Sequence, residues 1–177
     1  KIQFGERVEK IDATRQVLTG HLGSQYRYNH LISTMPLDVL AQVVGGSDEL
    51  AATVQLKKNT THVIGFGLSG PIPKELERRC WGYYPQPQLP FYRLTLMSNL
   101  SPYNTPSPGA TWSIMAEVAE SQYAPASGNL VADVERGLAE VGLVAEPDKV
   151  ISRWYKELPY GYPVPTIDRD AIETEAL

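Results

Sequence analysis

The 177-residue sequence contains one cysteine, Cys80, and only three histidines. A single cysteine excludes an internal disulfide framework and a cysteine-rich zinc site. His21, His30 and His62 share no i,i+3 or i,i+4 spacing and have no neighbouring carboxylate cluster in the sequence. A metal site needs several convergent ligands, so we expect surface or hydrogen-bonded histidines and no bound metal.

Long hydrophobic runs and an excess of positive charge are also missing. No stretch of about 18 apolar residues occurs, so no transmembrane helix is expected. Sixteen Lys and Arg stand against twenty Asp and Glu, a formal charge of −4, which argues against a nucleic-acid or basic membrane-binding surface. The sequence begins at Lys1 without Met or a signal-peptide segment, and it stops within a helix-like pattern. We therefore expect a piece of a longer, cytoplasmic protein.

The first 35 residues carry the pattern of a β-meander, in which short strands alternate with turns. The third strand ends in the apolar run His30–Met35, which we expect to be buried. Pro36 suits the first turn of a helix because it lacks the N–H that this turn leaves unpaired. A helix at 36–45 would then end at Gly45-Gly46. The strands are predicted at 8–12, 17–19 and 26–33.

The rest of the chain predicts an antiparallel sheet with helices packed against it. Val131, Val134, Leu138 and Val141 lie at helical spacing before Gly142, which predicts a helix at about 129–141. No period of about 20–50 residues repeats, which excludes solenoids and propellers. The predicted fold class is α+β, with an antiparallel sheet of about six strands and flanking helices, plus the N-terminal β-meander. Strands are predicted at 60–68, 81–85, 91–99, 111–119 and 150–158, and a further short helix at 47–54.

Residues 65–70, Gly-Phe-Gly-Leu-Ser-Gly, match the glycine fingerprint of dinucleotide-binding folds letter for letter. That fingerprint binds pyrophosphate only where a helix N-terminus comes directly after it. Here Pro71-Ile72-Pro73 comes next, and Pro73 disfavours helical geometry at Ile72. We interpret these glycines as the end of a strand and not as a nucleotide site.

A cluster of aromatic and cationic residues lies between positions 81 and 93. The two-residue period of a strand places Trp81 and Tyr83 on one face, and Phe91 and Arg93 on one face. An arginine offers a planar fork to phosphate oxygens, and tyrosines offer hydroxyl donors, as a nucleotide-diphosphate site requires. An ordinary aromatic core with Arg93 in an ion pair explains the same residues. The cluster comprises Trp81, Tyr83, Tyr84, Phe91, Tyr92 and Arg93, and a tyrosine-rich loop at 160–165 could converge on it.

These segments resemble the flavin-dependent UDP-galactopyranose mutases of the fungal and protozoan type, within the amine-oxidase-like flavoprotein superfamily. The order and spacing of the matching segments extend over nearly the whole chain. The more specific segments are Cys80–Pro85, Pro90–Thr95, Ser98–Asn104 and Gly161–Thr166. Segments shared by many flavoproteins are Gly5–Asp12 and Leu31–Leu37, and 61–67 and 112–118 complete the series.

The resemblance implies an isomerase that interconverts UDP-galactopyranose and UDP-galactofuranose through a flavin–sugar adduct, without net redox change. Its cofactor would be FAD in the reduced form, and its partner a UDP-sugar. The flavin carries the covalent step, so no side chain is expected to be a catalytic nucleophile. We expect this chain alone to be inactive, because the family's FAD-binding glycine fingerprint and helical substrate domain are missing. Assembly into a homo-oligomer stays open.

The resemblance also assigns substrate-binding residues. Arg93 would neutralise the diphosphate, and Tyr83 and Tyr162 would donate hydrogen bonds to its oxygens. Trp81 would line the sugar side of the pocket, and Asn99 is counted with the residues that contact the substrate. Preorganised donors of this kind stabilise the charge that develops on a departing diphosphate.

Four further residues are assigned to the cofactor by the same resemblance. The backbone of Val8 would hold the adenine end of FAD, and Ser33, Thr34 and Met35 would lie near the cofactor. By this scheme residues 1–35 belong to the FAD-binding domain, and residues 36–177 form the sheet-bearing substrate-binding domain.

Two other functions stay open at this point. One is a related flavoprotein, such as an amine oxidase or a protoporphyrinogen-oxidase-like enzyme with another substrate, and the other is a binding module without catalysis. Arg93 with two polar tyrosines favours the mutase, since the substrates of the related oxidases are usually apolar or aminated. Leu100 stands where fungal mutases carry a tyrosine, which leaves the exact sugar open.

Overall fold

The structure, a computed structural model, describes residues 2–44, 56–144, 149–167 and 169–171. The chain divides into two compact units, one of Lys1–Lys57 with Pro163–Leu177 and one of Lys58–Tyr162. The short helix predicted at 47–54 and the Gly45-Gly46 helix stop lie outside the described residues. The assignment of 1–35 to an FAD-binding domain and of 36–177 to a substrate-binding domain stays a prediction.

The first unit contains the β-meander that the sequence predicts. Its antiparallel strands pair in chain order, and Ile11 of the first strand is buried. A helix comes after the meander, with Pro36 at its N-cap position. The elements are β1 (Val8–Asp12), β2 (Val17–Gly20), β3 (Gln25–Arg27) and α1 (Leu37–Val43).

The prediction for the end of the meander was wrong. β3 ends at Arg27, six residues before the predicted end at Ser33, and the apolar run after it is exposed. Leu31 is 40% exposed and Ile32 is 92% exposed. Within the described residues no strand pairs with this run. Apolar composition is buried only where a neighbouring surface covers it, and the sequence pattern does not contain that surface.

The second unit is built on five antiparallel strands, which confirms the α+β fold class with one strand fewer than the expected six. The strands are β4 (Thr60–Ser69), β5 (Trp81–Tyr83), β6 (Arg93–Leu96), β7 (Thr111–Glu120) and β8 (Val150–Leu158). Their order across the sheet is β5-β6-β7-β4-β8. The two long strands β4 and β7 pair in register along their whole length at the centre of the sheet.

Helices in this unit agree with the sequence-based expectation only in part. Helix α3 (Leu130–Glu140) lies where it was predicted, and Gly142 ends it in a left-handed conformation with φ +76°. Residues 97–99 were predicted as strand but lie in the short helix α2 (Met97–Leu100), which leads into a 3-10 turn at Pro102–Asn104. No helix among the described residues is long and apolar enough to cross a membrane.

The two faces of the five-stranded sheet differ. One face, the core face, packs against α3 through Val134 and Leu138, which are fully buried. The other, which we call the open face, carries the alternate residues of the same strands. Core-face residues are Ile64, Phe66, Leu68, Leu94, Leu96, Trp112, Ile114, Ala116 and Val118. Open-face residues include Gly65, Gly67, Trp81, Tyr83, Arg93, Thr95, Ser113, Met115, Glu117, Ser152 and Trp154.

The glycine-rich segment 65–70 is the end of a strand, as interpreted from the sequence. Gly65 and Gly67 lie within β4, and Gly70 comes directly after the strand with φ +90°. Residues 71–73 are irregular, so no helix N-terminus faces these glycines. A Cβ at Gly67 would meet the Ser152 hydroxyl on β8, which would have to rotate away.

Candidate functional site

The predicted aromatic pair lies on the open face at the β5–β6 edge of the sheet. The strand register pairs Tyr83 with Arg93 and Trp81 with Thr95. Trp81 is 60% exposed and Tyr83 is 65% exposed, so neither belongs to the core. The two-residue period therefore placed Trp81, Tyr83 and Arg93 together, as predicted.

Arg93 is held by a carboxylate that the sequence analysis missed. Glu117 lies directly opposite Arg93 on β7. Arg93 Nε donates to Glu117 Oε1 at 2.8 Å, and Nη2 donates to Oε2 at 2.6 Å, a bidentate fork. The Tyr92 hydroxyl donates to the same Oε2 at 2.8 Å. The Glu117 side chain is only 5% exposed, whereas a quarter of the Arg93 side chain still reaches solvent.

The electrostatics favour the charged form of Arg93 and the neutral form of Tyr92. The hydrogen bond with Glu117 is the main cause that raises the pKa of Arg93, and hydrogen bonding with Tyr83 raises it further. Burial, followed by the hydrogen bond to Glu117, raises the pKa of Tyr92. A guanidinium has five N–H donors, and the fork uses two of them. The remaining donors are available to Tyr83 and to an incoming anion.

Tyr162 approaches this cluster from the loop after β8. Asn59 fixes the loop, because its Oδ1 accepts from Tyr162 N at 2.6 Å and its backbone N–H donates to Tyr162 O at 3.0 Å. A Cβ on Gly161 would lie only 2.8 Å from Thr61 N, so only glycine permits this close approach. Tyr162 is half exposed and near enough to Arg93 to affect its pKa. The loop thus lies near the arginine, and the role of Tyr162 in substrate binding stays a prediction.

Asn99, assigned to the substrate by the resemblance, and Phe91, from the predicted cluster, lie elsewhere. Asn99 donates through Nδ2 to the carbonyls of Leu76 and Arg79, at 2.7 and 2.6 Å, so its amide holds the 76–79 turn. Its role in substrate binding stays a prediction. Phe91 does not share a face with Arg93, since Phe91 is 1% exposed in the core. That prediction was wrong because β6 begins only at Arg93, so the two-residue period does not extend back to Phe91.

The residues assigned to a cofactor all lie in the first unit. Val8 pairs with Gly20 within the meander, while Ser33 Oγ accepts from Met35 N at 3.3 Å and Thr34 is exposed. The nearby Glu6 Oε1 is buried and has no hydrogen-bond partner among the described residues. A buried acceptor without a donor fits a hydroxyl of a bound nucleotide, so the surroundings of Val8 are compatible with one end of FAD.

A second hydrogen-bonded group joins three strands on the core face. His62 is 4% exposed, and its Nε2 lies 2.7 Å from Glu120 Oε2 while its Nδ1 lies 2.9 Å from the Tyr155 hydroxyl. His62 is thus a hydrogen-bonded histidine, as expected. The sequence analysis found no carboxylate beside it, because Glu120 reaches His62 only through the register of β4 and β7.

No family model matches the chain. A solved structure of reduced UDP-galactopyranose mutase is 36% identical and superposes with a TM-score of 0.81, over 97% of this chain and 37% of that one. Two further structures share the fold. A Pyrococcus furiosus protein is 13% identical with a TM-score of 0.61, over 90% of this chain and 38% of its own. A protein named as a protoporphyrinogen oxidase, from Exiguobacterium, is 15% identical with a TM-score of 0.57, over 99% of this chain and 36% of its own.

The match with the mutase covers the two chains unequally. It extends over this chain almost end to end, yet the chain spans little more than a third of the mutase's length. At 13% and 15% identity, the other two structures indicate the fold alone. The resemblance to the UDP-galactopyranose mutases that the sequence motifs indicate is therefore confirmed over nearly the whole of this chain.

Proposed function

We propose that this chain is the sheet-bearing, diphosphate-binding part of an FAD-dependent mutase that interconverts UDP-galactopyranose and UDP-galactofuranose. The observation that supports this most directly is Arg93, fixed by Glu117 on the open face beside Tyr83. The similarity to a UDP-galactopyranose mutase supplies the substrate class.

The cluster suits a diphosphate leaving group. Departure of UDP from a sugar places negative charge on the diphosphate oxygens, and donors that are already oriented stabilise this charge best. Glu117 fixes the rotamer of Arg93, so little side-chain freedom is lost when an anion binds. The hydroxyls of Tyr83 and Tyr162, which both influence the pKa of Arg93, would add neutral donors beside the guanidinium.

The remaining residues divide between the sugar and the cofactor. Trp81 is more than half exposed and lies two residues along β5 from Tyr83, the partner of Arg93, where it would form an apolar wall for the sugar. Val8 and Ser33–Met35 would hold FAD. When bound, reduced FAD would supply the nucleophilic chemistry at the anomeric carbon, and the side chains of this chain would bind, orient and exclude water.

A protoporphyrinogen-oxidase-like activity is the second candidate, because a protein with that name shares the fold at a TM-score of 0.57. A charged fork beside two tyrosine hydroxyls suits an anion better than an apolar or aminated substrate. The mutase is therefore the preferred proposal.

The test is UDP binding by the protein that contains this chain. Losing a hydrogen bond to a charged group costs about 1.5–3 kcal/mol, so Arg93→Ala should weaken UDP binding roughly 10- to 150-fold in calorimetric titration. Arg93→Lys should restore affinity only in part, because an ammonium lacks the fork. FAD content should stay at the wild-type level.

Arg153 provides a matched control. It forms the same bidentate fork, with Glu135 of α3, but on the other side of the sheet. Arg153→Ala should leave UDP affinity unchanged. Tyr83→Phe removes one exposed hydroxyl without leaving Glu117 unpaired, so it tests the site even if Arg93→Ala folds poorly. Wild-type UDP affinity in both Arg93→Ala and Tyr83→Phe would falsify the proposal.

A further inference from the structure

The two edges of the five-stranded sheet differ in length. β5 forms one edge and has only three residues, whereas β8 forms the other edge and has nine. One side of β8 pairs with β4, and among the described residues no strand pairs with its outer side. A long edge strand presents a row of N–H and C=O groups that can pair with a further strand. β8 is therefore the edge at which this sheet can be extended.

The outer side of β8 is regular over one stretch. β8 pairs with β4 without interruption from Leu158 back to Ser152, and the register shifts only between Ser152 and Val150. Pro159 comes directly after the strand and has no N–H to donate to a neighbouring strand. The regular stretch Ser152–Leu158 is thus bounded by an irregularity at one end and by a proline at the other, and Tyr155 is its central residue.

This stretch exposes both apolar and charged side chains. Trp154 is 57% exposed, Tyr155 45% and Leu158 40%. Lys156 and Glu157 are exposed as well, and within the part of the chain that the structure describes neither side chain forms an ion pair. Aromatic rings and charges of this kind are the groups that stabilise a sheet through pairs with a neighbouring strand.

The charges of this stretch are self-complementary. When two copies of a strand pair antiparallel about a two-fold axis perpendicular to the sheet, residues at equal distances from the axis stand opposite each other on the same face. With the axis at Tyr155, Arg153 stands opposite Glu157 of the second copy, and Trp154 stands opposite Lys156 of the second copy. The first pair joins opposite charges, and the second can form a cation–π contact. The symmetry forms each pair twice.

Other positions of the axis are less favourable. An axis at Arg153, Lys156 or Glu157 would place that charge directly opposite its own copy, which is destabilising. An axis at Trp154 would avoid this repulsion, but it would place Arg153 opposite Tyr155, with no carboxylate facing the guanidinium. Of these positions, only the axis at Tyr155 brings opposite charges together and also uses the whole of the regular stretch.

Arg153 can bind a second copy without leaving α3. Its two hydrogen bonds to Glu135 use Nε and Nη2, so three of the five N–H donors of the guanidinium remain. The Arg153 side chain is 44% exposed. The guanidinium can therefore bridge Glu135 and a carboxylate that approaches from outside the sheet.

We propose that β8 is a dimerisation edge, at which two copies of this chain pair antiparallel through Ser152–Leu158 about an axis at Tyr155. The two five-stranded sheets then form one continuous sheet across the axis. The open faces of both copies, each with its Arg93 cluster, lie on the same side of that sheet. This inference does not depend on the proposed function, because no ligand takes part in it.

Sedimentation velocity over a concentration series of the protein that contains this chain measures the association. We expect a monomer–dimer equilibrium for the wild type. Loss of two cross-strand charge pairs corresponds to about a 2- to 30-fold rise in the dissociation constant, which we expect for Glu157→Gln. Glu157→Arg should raise it further, because it makes both pairs repulsive. Glu77→Arg is the matched control, since it makes the same charge change at an exposed residue shortly before β5, at the opposite edge of the sheet.

Cysteine cross-linking tests the position of the axis. The native Cys80 is first replaced in a Cys80→Ser background. Tyr155→Cys then places two cysteines directly opposite each other, at a Cα separation of about 4.5–5.5 Å that a disulfide accepts. Trp154→Cys is the matched control, because position 154 stands opposite position 156 and not opposite itself. Non-reducing electrophoresis should show linked dimers for Tyr155→Cys and not for Trp154→Cys.

Any of three results overturns the proposal. The first is a wild-type protein that stays monomeric at every concentration, as it would if another segment of the longer chain covered β8. The second is an equal dissociation constant for Glu157→Arg and Glu77→Arg, and the third is cross-linking through Trp154→Cys in place of Tyr155→Cys. UDP titration of the same samples keeps the two proposals apart, since an absent dimer with normal UDP binding leaves the proposed function intact.

Discussion

The two faces of the five-stranded sheet carry the same ion pair in different surroundings. On the open face Arg93 donates two hydrogen bonds to Glu117, and on the side of α3 Arg153 donates two to Glu135. In both pairs the donors are Nε and Nη2, and the distances are 2.6–2.8 Å. The side chains of Arg93 and Glu117 are 26% and 5% exposed, against 44% and 20% for the other pair. The geometry is alike, and the burial is not.

This difference in burial distinguishes an ion pair that links two elements, Arg153 with Glu135, from an ion pair that holds a binding residue, Arg93 with Glu117. Arg153 and Glu135 link β8 to α3 at the surface, where solvent weakens the attraction. Glu117 is buried and accepts hydrogen bonds from both Arg93 and Tyr92, so loss of either donor leaves a buried carboxylate with fewer partners. Bond lengths alone would not distinguish the two pairs, whereas burial and the adjacent tyrosine hydroxyls do.

The largest expected effect is a difference in the free energy of unfolding between substitutions on the two faces of the sheet. Phe66 is 1% exposed on the core face, and Phe66→Ala should lower the free energy of unfolding by about 3–5 kcal/mol. Trp154→Ala on the open face should change it by less than about 1 kcal/mol, because the ring is already half in water. Urea unfolding measures both. Similar losses would mean that the open face is also a core surface.

The second prediction sharpens the contrast between the two forks. Glu117→Gln leaves Arg93 with an uncharged partner in a largely buried position, and the free energy of unfolding should fall by about 2–3 kcal/mol. That range is below the cost for a fully buried pair, because part of Arg93 reaches solvent. Glu135→Gln should cost about 0–1 kcal/mol. Equal values for the two variants in urea unfolding would contradict the comparison.

The smallest effect concerns the His62 group and depends on pH. The hydrogen bond from His62, followed by the one from Ala126 N, lowers the pKa of Glu120 below its usual value. A carboxyl whose folded pKa is depressed stabilises the fold above its unfolded pKa, and this contribution is lost as the pH falls through the folded pKa.

Wild-type protein should therefore lose more stability on acidification than Glu120→Gln. The measurement is the urea midpoint of both proteins at several pH values from 7 down to acidic conditions. Parallel profiles would show that Glu120 contributes no pH-dependent stability. Because Glu120 is partly exposed, we expect the difference to be reduced by added salt.

Long, regular elements were predictable from the sequence. β8 was predicted with its observed bounds, and β4, β7 and α3 were predicted to within about one residue at each end, because their apolar periodicity extends over several repeats. Short elements were not. β6 was predicted to run to Asn99 but ends at Leu96, where the chain turns into α2.

The site was predictable where it is local. Trp81, Tyr83 and Arg93 lie close together in the sequence, so the period of a strand was enough to place them on one face. Glu117 came from another strand, and nothing in the sequence states which residue of β7 stands opposite Arg93. A glutamate between Ala116 and Val118 in an apolar strand was the one signal that could have indicated it.

The hydrogen bonds of Asn59 have a consequence for how the unit Lys58–Tyr162 connects to the rest of its chain. They join Asn59 to Gly161 and Tyr162, so the chain enters and leaves this unit at the same point. A segment whose ends meet can be inserted into a host chain while altering little beyond the junction. Residues 58–162 thus have adjacent ends, as an inserted domain does. If these ends are joined by a short linker, we expect the unit to tolerate new termini within the 101–110 loop, that is, circular permutation.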